Sequence, residues 1–229
     1  MFLHRIHLNP RRKSVRHDLA DPYQMHATLC RIFFPEGTKC PPGALLWRLE
    51  PEIDVNGQPR ILIQCGATPE WSRIPDPEWL AQADPGIDVE QKLGIDTLAA
   101  GQQFRFRLRA NPCKTVQSKR QGITQPGSQR EWLTRKGMQH GFALPESPAP
   151  DYFNFLESSN GHAYQDFRIS QEQMLGGRQH DGNAIRVYSA LFDGRLTVTD
   201  VTRFKKALKT GIGHGKVMGL GLLSVVPIR

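Results

Sequence analysis

Long apolar runs and closely spaced cysteine pairs are both missing from this chain. No stretch approaches the roughly 20 apolar residues of a membrane-spanning helix, and the first ten residues lack the apolar core of a secretory signal. We therefore expect a cytosolic protein. The cysteines form no Cys-x-x-Cys pair, which favours separate reduced thiols over a zinc site or a disulfide framework: Cys30, Cys40, Cys65 and Cys113.

The usual nucleotide-binding motifs are absent too, although the C-terminal region is rich in glycine. The run Gly211-Ile-Gly-His-Gly-Lys-Val-Met-Gly-Leu-Gly follows a helical pattern and precedes a strand-like segment. A Walker A loop and a dinucleotide fingerprint both lie between a strand and a following helix. The sequence therefore disfavours a nucleotide-dependent enzyme. Closely spaced glycines beside Lys216 are still typical of a loop whose backbone amides contact phosphate.

Charge and length narrow the class of protein. The chain has 30 Lys and Arg against 22 Asp and Glu, which gives a formal net charge of +8. Such an excess favours a polyanionic partner, most often nucleic acid. Its 229 residues can form two domains of roughly 100 residues each.

The first half has the pattern of one α+β unit. Alternation predicts a strand over residues 2–8, followed by a basic turn, and Asp21-Pro22 predicts the start of a helix that ends by Pro35. Two strands, at 44–50 and 60–64, flank the turn signal Asn56-Gly57. Residues 69–86 are predicted to be irregular. This order is typical of a ferredoxin-like half.

The second half repeats the pattern with additions. We predict a strand at 104–110 with three arginines on its outer face, a basic segment at 114–129 and a helix at 131–142. Further strands are predicted at 163–169, 184–192 and 195–198, with Asp193-Gly194 as a two-residue hairpin turn. A helix at 200–210 and a last strand complete the second half. The expected fold is α+β, with two tandem ferredoxin-like (RRM-like) βαββαβ domains at residues 1–95 and 96–229.

Tyr23 and His26 are the catalytic candidates. They are three residues apart on the first helix, on a face separate from the apolar stripe that Met25, Leu29 and Ile32 form. A histidine that exchanges a proton near neutral pH suits general acid–base chemistry on a phosphodiester. RNA supplies its own nucleophile, the 2′-hydroxyl, so this chemistry needs no metal in principle. The alternative is that His26 is an ordinary, partly buried helix histidine.

Four motifs in this order resemble the CRISPR-associated CasE family (Cse-type) of endoribonucleases, which process precursor CRISPR RNA in type I-E Cascade complexes. They are Asp21-Pro-Tyr-Gln-Met-His26, Ala110-Asn-Pro112, Trp132-Leu-Thr-Arg-Lys-Gly137 and the glycine-rich run with its following leucines. The resemblance implies tandem ferredoxin-like domains and metal-independent cleavage of repeat RNA at the base of its stem-loop. The product ends would be a 5′-hydroxyl and a 2′,3′-cyclic phosphate.

The same resemblance assigns roles and partners. It implies that His26 transfers protons, as acid, base or both, that Tyr23 assists it, and that no cofactor or metal takes part. The partners would be repeat RNA, the mature guide RNA and other Cascade subunits, with no membrane. The RNA-binding residues would be Lys114, Lys119, Arg120, Arg130, Arg135, Lys136, Gly213, His214, Gly215 and Lys216.

Two alternatives stay open at the level of sequence. His214 either touches RNA or is simply exposed. The chain could also be a non-catalytic scaffold that holds an RNA hairpin, because its basic charge and glycine loop fit both functions. Only the Tyr23 and His26 pair separates the enzyme from the scaffold.

Overall fold

The computed structural model describes residues 1–146, 166–178 and 182–228. Two antiparallel sheets, one in each half of the chain, organise these residues. In the first sheet the strand order is β2-β3-β1-β4, and a short β5 also pairs with β1. Its strands are β1 (Phe2–Leu8), β2 (Leu45–Leu49), β3 (Arg60–Cys65), β4 (Leu80–Ala83) and β5 (Ile87–Asp88). The predicted strands 2–8, 44–50 and 60–64 are thus confirmed, whereas β4 lies in the stretch predicted to be irregular.

Two helices follow β1, where the sequence pattern predicted one. The additional helix, α1 (Lys13–Ala20), lies where we predicted only a basic turn. Arg12 provides no side-chain N-cap for this helix, and only Val15 and Asp18 of the helix are buried. The start signal and the apolar periodicity that would predict a helix are therefore both weak. Tertiary contacts hold it: Asp18 Oδ2 accepts hydrogen bonds from Thr28 Oγ1 and Trp79 Nε1, both at 2.9 Å. The predicted helix is α2 (Pro22–Phe33).

The second sheet has the order β10-β11-β6-β12, and the two-residue β9 pairs with β11. Strands β7 and β8 pair with each other in a separate two-stranded ribbon, which lies mostly within the predicted basic segment. The strands are β6 (Gln103–Ala110), β7 (Cys113–Val116), β8 (Lys119–Gly122), β9 (Phe142–Ala143), β10 (Phe167–Arg178), β11 (Ala184–Val198) and β12 (Leu223–Pro227). The helices are α3 (Val89–Leu93), α4 (Pro126–His140) and α5 (Val201–Thr210).

The predicted hairpin turn at Asp193-Gly194 is wrong, because both residues lie inside the long strand β11. Arg107 Nε donates a 2.6 Å hydrogen bond to Asp193 Oδ1, which gives this carboxylate an ion-pair partner within the sheet. At Gly194 the Phe167 side chain occupies the place of a Cβ, so glycine is required for close packing. The strand predicted at 163–169 begins at Phe167, and 163–165 lie outside the described residues.

Each sheet has its own apolar core, and polar side chains join the two halves. Arg48, which is 1% exposed, donates from Nη1 to the carbonyl oxygens of Arg107 (3.1 Å) and Leu222 (3.2 Å). Gln64 Nε2 donates to the Leu208 carbonyl oxygen at 2.7 Å. These bonds cross from β2 and β3 to the second half and fix the relative position of the sheets. Across the described residues, no helix combines the length and apolarity that a bilayer span needs.

Candidate active site and RNA interface

The local sequence of α2 determines which of its side chains are available for function. Asp21 Oδ1 accepts hydrogen bonds from the backbone N–H of Tyr23 (2.9 Å) and Gln24 (3.4 Å), and Pro22 occupies the first turn. Met25 and Leu29 are buried in the first core. This orientation leaves Tyr23 and His26 partly exposed on the neighbouring face, as the helical spacing predicted.

His26 sits in a poorly solvated environment. Its Nε2 lies 3.5 Å from Cys30 Sγ, one helical turn further along α2. Its Nδ1 is buried and makes no hydrogen bond to any described residue. Burial disfavours the imidazolium form and lowers the pKa of His26 to about 4. In this conformation the ring is neutral at physiological pH, and its Nδ1 is shielded from solvent.

Cys30 and Cys40 are distant in sequence, but the fold brings their thiols close together. The sulfur atoms of both residues and a ring nitrogen of His26 all lie within 4.8 Å of one another. The fold brings Cys40, in the irregular segment 34–44, back against α2. Burial raises the pKa of both thiols. The cysteines are free, and the three donor atoms form a group that could hold a soft or borderline metal ion.

The N-terminus of α2 also contacts the second half of the protein. Asp21 Oδ2 accepts a 3.1 Å hydrogen bond from the backbone N–H of Arg178, at the end of β10. A Cβ built on Gly177 would lie 2.8 Å from Asp21 Oδ1 and 3.2 Å from the Tyr23 Cβ. Glycine is therefore needed where β10 passes the start of the helix. This contact places Tyr23 beside the second half.

The glycine-rich run divides into a packed part and a surface part. A Cβ on Gly211 would lie 2.7 Å from the Gly221 carbonyl oxygen, and one on Gly219 would lie 2.9 Å from the Trp47 ring. Both glycines therefore serve close packing. Between them, Gly213 and Gly215 have φ of +81°, His214 is exposed, and a single 3₁₀ turn spans Lys216–Met218. This turn packs against α2, so the loop and the catalytic candidates share one region.

Four of the predicted RNA-binding residues converge around this loop. Burial, followed by the charges of Arg120, Lys136 and Lys216, lowers the pKa of His214. Such mutual influence requires that residues from β8, α4 and the glycine loop lie near one another. We call Arg120, Lys136, His214 and Lys216 the basic cluster. The structure thus brings together positions separated by almost a hundred residues.

The other predicted basic residues are placed differently. Lys114 and Arg135 line a shallow groove beside α4, and Lys119 is exposed at the end of the β7–β8 ribbon. Arg130 lies with its guanidinium carbon 5.0 Å from the Phe167 ring centroid, so its side chain packs on the second core. Arg130 is therefore less exposed than Lys119.

A groove next to the basic cluster contains residues that the sequence pattern did not single out as RNA-binding. It has a volume of about 490 Å³, and its lining includes Asn111, Arg120, Arg186, His214 and Met218. Asn111 belongs to the Ala110-Asn-Pro112 motif, but its side chain carried no assigned role. The alternation of β11 could have indicated Arg186, which lies between Ile185 and Val187 on the exposed side of the strand.

Comparison with known proteins identifies the family. A family model described as CRISPR associated protein matches residues 1–227. The CRISPR-associated endoribonuclease Cse3 of Thermus thermophilus is 36% identical over 232 residues, covering 99% of this chain and all of that protein. The chain belongs to the CasE/Cse3 family.

A solved structure of the same relative and one further family member extend the comparison. A solved structure of Thermus thermophilus Cse3, bound to an RNA representing a pre-cleavage complex, matches with a TM-score of 0.78 and 35% identity. The match covers 99% of this chain and 98% of that chain. The Escherichia coli Cascade subunit CasE is 28% identical over 135 residues, or 57% of this chain and 61% of that protein.

Proposed function

We propose that this protein is an endoribonuclease that cleaves CRISPR repeat RNA at the base of its stem-loop. The observation that carries the proposal is the position of α2, which presents Tyr23 and His26 and packs against the 3₁₀ turn of the glycine loop. The endoribonuclease relative matches over the full length, which supports the same class of activity. The products would be mature guide RNAs with 5′-hydroxyl and 2′,3′-cyclic phosphate ends.

The proposed chemistry is an internal transesterification. The 2′-oxygen attacks the adjacent phosphorus, the bond from phosphorus to the 5′-oxygen breaks, one proton leaves the 2′-hydroxyl and one is added to the 5′-oxygen. A metal ion is not needed to supply the nucleophile. Burial keeps the imidazole of His26 neutral in this conformation. The neutral ring would accept the first proton after it has turned toward the RNA. Tyr23 would position or polarise the reacting groups from the same face of α2.

His26 has to change conformation to do this. Its Nε2 faces Cys30 and its Nδ1 is buried, so the ring must turn away from Cys30 before it reaches a phosphodiester. Rotation about two side-chain torsions is a fast motion that RNA binding can bias. The active arrangement is therefore expected to form with RNA bound.

RNA would be held mainly through its phosphates. The basic cluster and the backbone amides of Gly213 and Gly215 would contact the backbone near the cleaved bond, because the A-form major groove is too narrow for side-chain reading. Lys114, Lys119 and Arg135 would extend this surface along the stem. Asn111 and Arg186 are added to the proposed interface because they line the adjoining groove.

Each half would be one ferredoxin-like domain. Numbered within its own half, each main sheet has the strand order 2-3-1-4, which is the order of a βαββαβ unit. In the first half a 3₁₀ turn, Trp71–Arg73, stands where the second helix would be. We place the domains at residues 1–95 and 96–229. Leu93 and Ile95 already pack against the second core, so the connection crosses between the halves just before residue 95.

Partners follow from the same relatives. The Escherichia coli relative is named as a Cascade subunit, so we propose that this protein also joins such a complex and retains its RNA product there. The burial of His26 Nδ1 and the contact of its Nε2 with Cys30 favour one alternative, in which the protein binds the hairpin as a scaffold without cutting it.

The decisive experiment is cleavage of a labelled repeat hairpin in EDTA by the wild type and by His26→Ala. Cutting to a cyclic phosphate by the wild type, with loss of cutting but retention of binding in the variant, supports the proposal. Tight binding without cutting by the wild type would support the scaffold function instead.

A further inference from the structure

The group formed by His26, Cys30 and Cys40 has the chemistry of a metal site. One nitrogen and two sulfur atoms lie within 4.8 Å of one another, on α2 and on the segment that returns to it. Nitrogen and thiolate sulfur are the donors that Zn²⁺ and Cu⁺ select, whereas Mg²⁺ and Ca²⁺ select oxygen. The group is therefore specific for a soft or borderline cation.

The distances fit a tetrahedral ion. With Zn–S of about 2.3 Å and Zn–N of about 2.0–2.1 Å, neighbouring sulfur and nitrogen ligands are roughly 3.5 Å apart and two sulfurs roughly 3.8 Å apart. The observed separation between His26 Nε2 and Cys30 Sγ is 3.5 Å. These two residues are four apart on a helix, so α2 holds them on one face.

Cys40 can become the third metal ligand after a small movement. It lies in the segment 34–44, which has no regular secondary structure, and its thiol donates a weak 3.6 Å bond to the Pro41 carbonyl oxygen. Because all three donor atoms already lie within 4.8 Å of one another, a shift of at most about 1.3 Å would bring its sulfur to a ligand distance. Three protein ligands leave the fourth position of a tetrahedral ion open to water.

We infer that His26, Cys30 and Cys40 bind Zn²⁺ and that the bound ion inhibits RNA cleavage by occupying Nε2 of His26. The inhibition rests on the proposed function, whereas metal binding does not. On binding, two thiol protons leave to solvent and the neutral imidazole donates its lone pair to the ion. A metal-bound His26 then cannot accept the proton of a 2′-hydroxyl.

The first test measures binding without RNA. The folded, reduced protein is titrated with Co²⁺ as a spectroscopic probe, and thiolate-to-cobalt absorption in the near ultraviolet is recorded together with the visible bands of tetrahedral cobalt. We expect saturation at one ion per chain, competed away by one equivalent of Zn²⁺. Cys40→Ser and Cys30→Ser should each reduce the absorption and weaken binding at least tenfold, whereas the matched control Cys113→Ser should titrate like the wild type.

The second test links the ion to activity. Cleavage in EDTA is measured first, because it tests the ribonuclease function alone, and the ratio of rates with and without Zn²⁺ is then compared between variants. We expect more than tenfold inhibition of the wild type and of Cys113→Ser, reversed by EDTA, and less than twofold inhibition of Cys40→Ser.

The outcomes distinguish the inhibitory metal site from the ribonuclease function. Normal cleavage in EDTA with equal zinc inhibition of the wild type and Cys40→Ser, or no thiolate-to-cobalt absorption, would overturn the inhibitory site and leave the ribonuclease intact. Cobalt binding through the three residues by a protein that never cleaves would keep the metal site, refute the ribonuclease function and remove the inhibitory role.

Discussion

Asp21 Oδ2 accepts a hydrogen bond from the Arg178 backbone N–H at 3.1 Å, while its Oδ1 caps the first turn of α2. One carboxylate therefore performs two tasks. It stabilises the start of the helix that carries Tyr23 and His26, and it ties that helix to β10 of the second half. The loss of this one side chain would therefore remove both the helix cap and the hydrogen bond to β10.

Replacement of Asp21 is therefore expected to cost more than replacement of an ordinary cap. Asp200 caps α5 by accepting from the Arg203 N–H and provides a matched control within the same protein. We expect Asp200→Ala to lose about 1 kcal/mol of unfolding free energy and Asp21→Ala about 2–3 kcal/mol. Urea unfolding measures both. Equal losses would show that the bond to Arg178 contributes nothing to stability.

The buried Arg48 provides a second stability prediction. Its Nε donates to Glu50 Oε1 at 2.7 Å, and its Nη1 bonds two carbonyl oxygens of the second half. Arg48→Ala leaves these acceptors buried without a donor, so we expect a loss of about 3–5 kcal/mol. Arg60→Ala, which removes a partly exposed arginine with a solvent-exposed bond to the Glu52 carbonyl oxygen, should change stability by less than about 0.5 kcal/mol. A small effect of Arg48→Ala would mean that the interface between the halves rearranges and fills the space that the side chain leaves.

Catalysis should depend on His26 far more than binding does. We expect His26→Ala to reduce single-turnover cleavage in EDTA by at least a thousandfold and to change hairpin affinity by less than about threefold, because one histidine contributes little to a phosphate interface. Tyr23→Phe should reduce cleavage more modestly. Filter binding and single-turnover kinetics measure the two effects. Parallel loss of affinity and cleavage would indicate that His26 has a structural role.

The low pKa of His26 predicts a specific pH dependence of stability. The pKa is about 4 in the folded protein and 6.5 in the unfolded chain, so between these values the unfolded chain binds more protons. Stability therefore falls as the pH is lowered from 6.5 to 4, by about 3 kcal/mol from this group. Urea unfolding in EDTA at pH 7 and pH 4 should show this loss in the wild type and not in His26→Ala. Identical losses in both proteins would contradict the assigned pKa.

The basic residues divide into two groups that salt dependence can distinguish. Each phosphate contact that is removed lowers the slope of log affinity against log salt by roughly one unit. We expect this for Arg120→Ala and Lys119→Ala, which alter exposed side chains. Arg130→Ala should leave the slope unchanged and lower stability, because its side chain packs on Phe167. A reduced slope for Arg130→Ala would place that residue in the RNA interface.

Local chemistry made several elements predictable. Asp21 and Pro22 define the start of α2, Asp200 and Gly211 bound α5, and alternation defines β1 and β6. Each of these signals comes from residues within a few positions of one another. Prediction failed where local signals were weak or misleading. Helix α1 was missed because it depends on hydrogen bonds from Thr28 and Trp79 to Asp18. The Asp193-Gly194 pair has the pattern of a turn but lies inside a strand.

The sequence by itself determined the positive charge, the elements that carry the catalytic pair and the order of the family's motifs. Tertiary structure alone decided which distant residues meet. It joined Arg120 and Lys136 to Lys216, turned Arg130 onto Phe167, and brought Cys40 to Cys30 and His26. Caps, turns and periodicity arise from neighbouring residues, whereas these contacts arise only when two sheets pack and their connecting segments return to the same place.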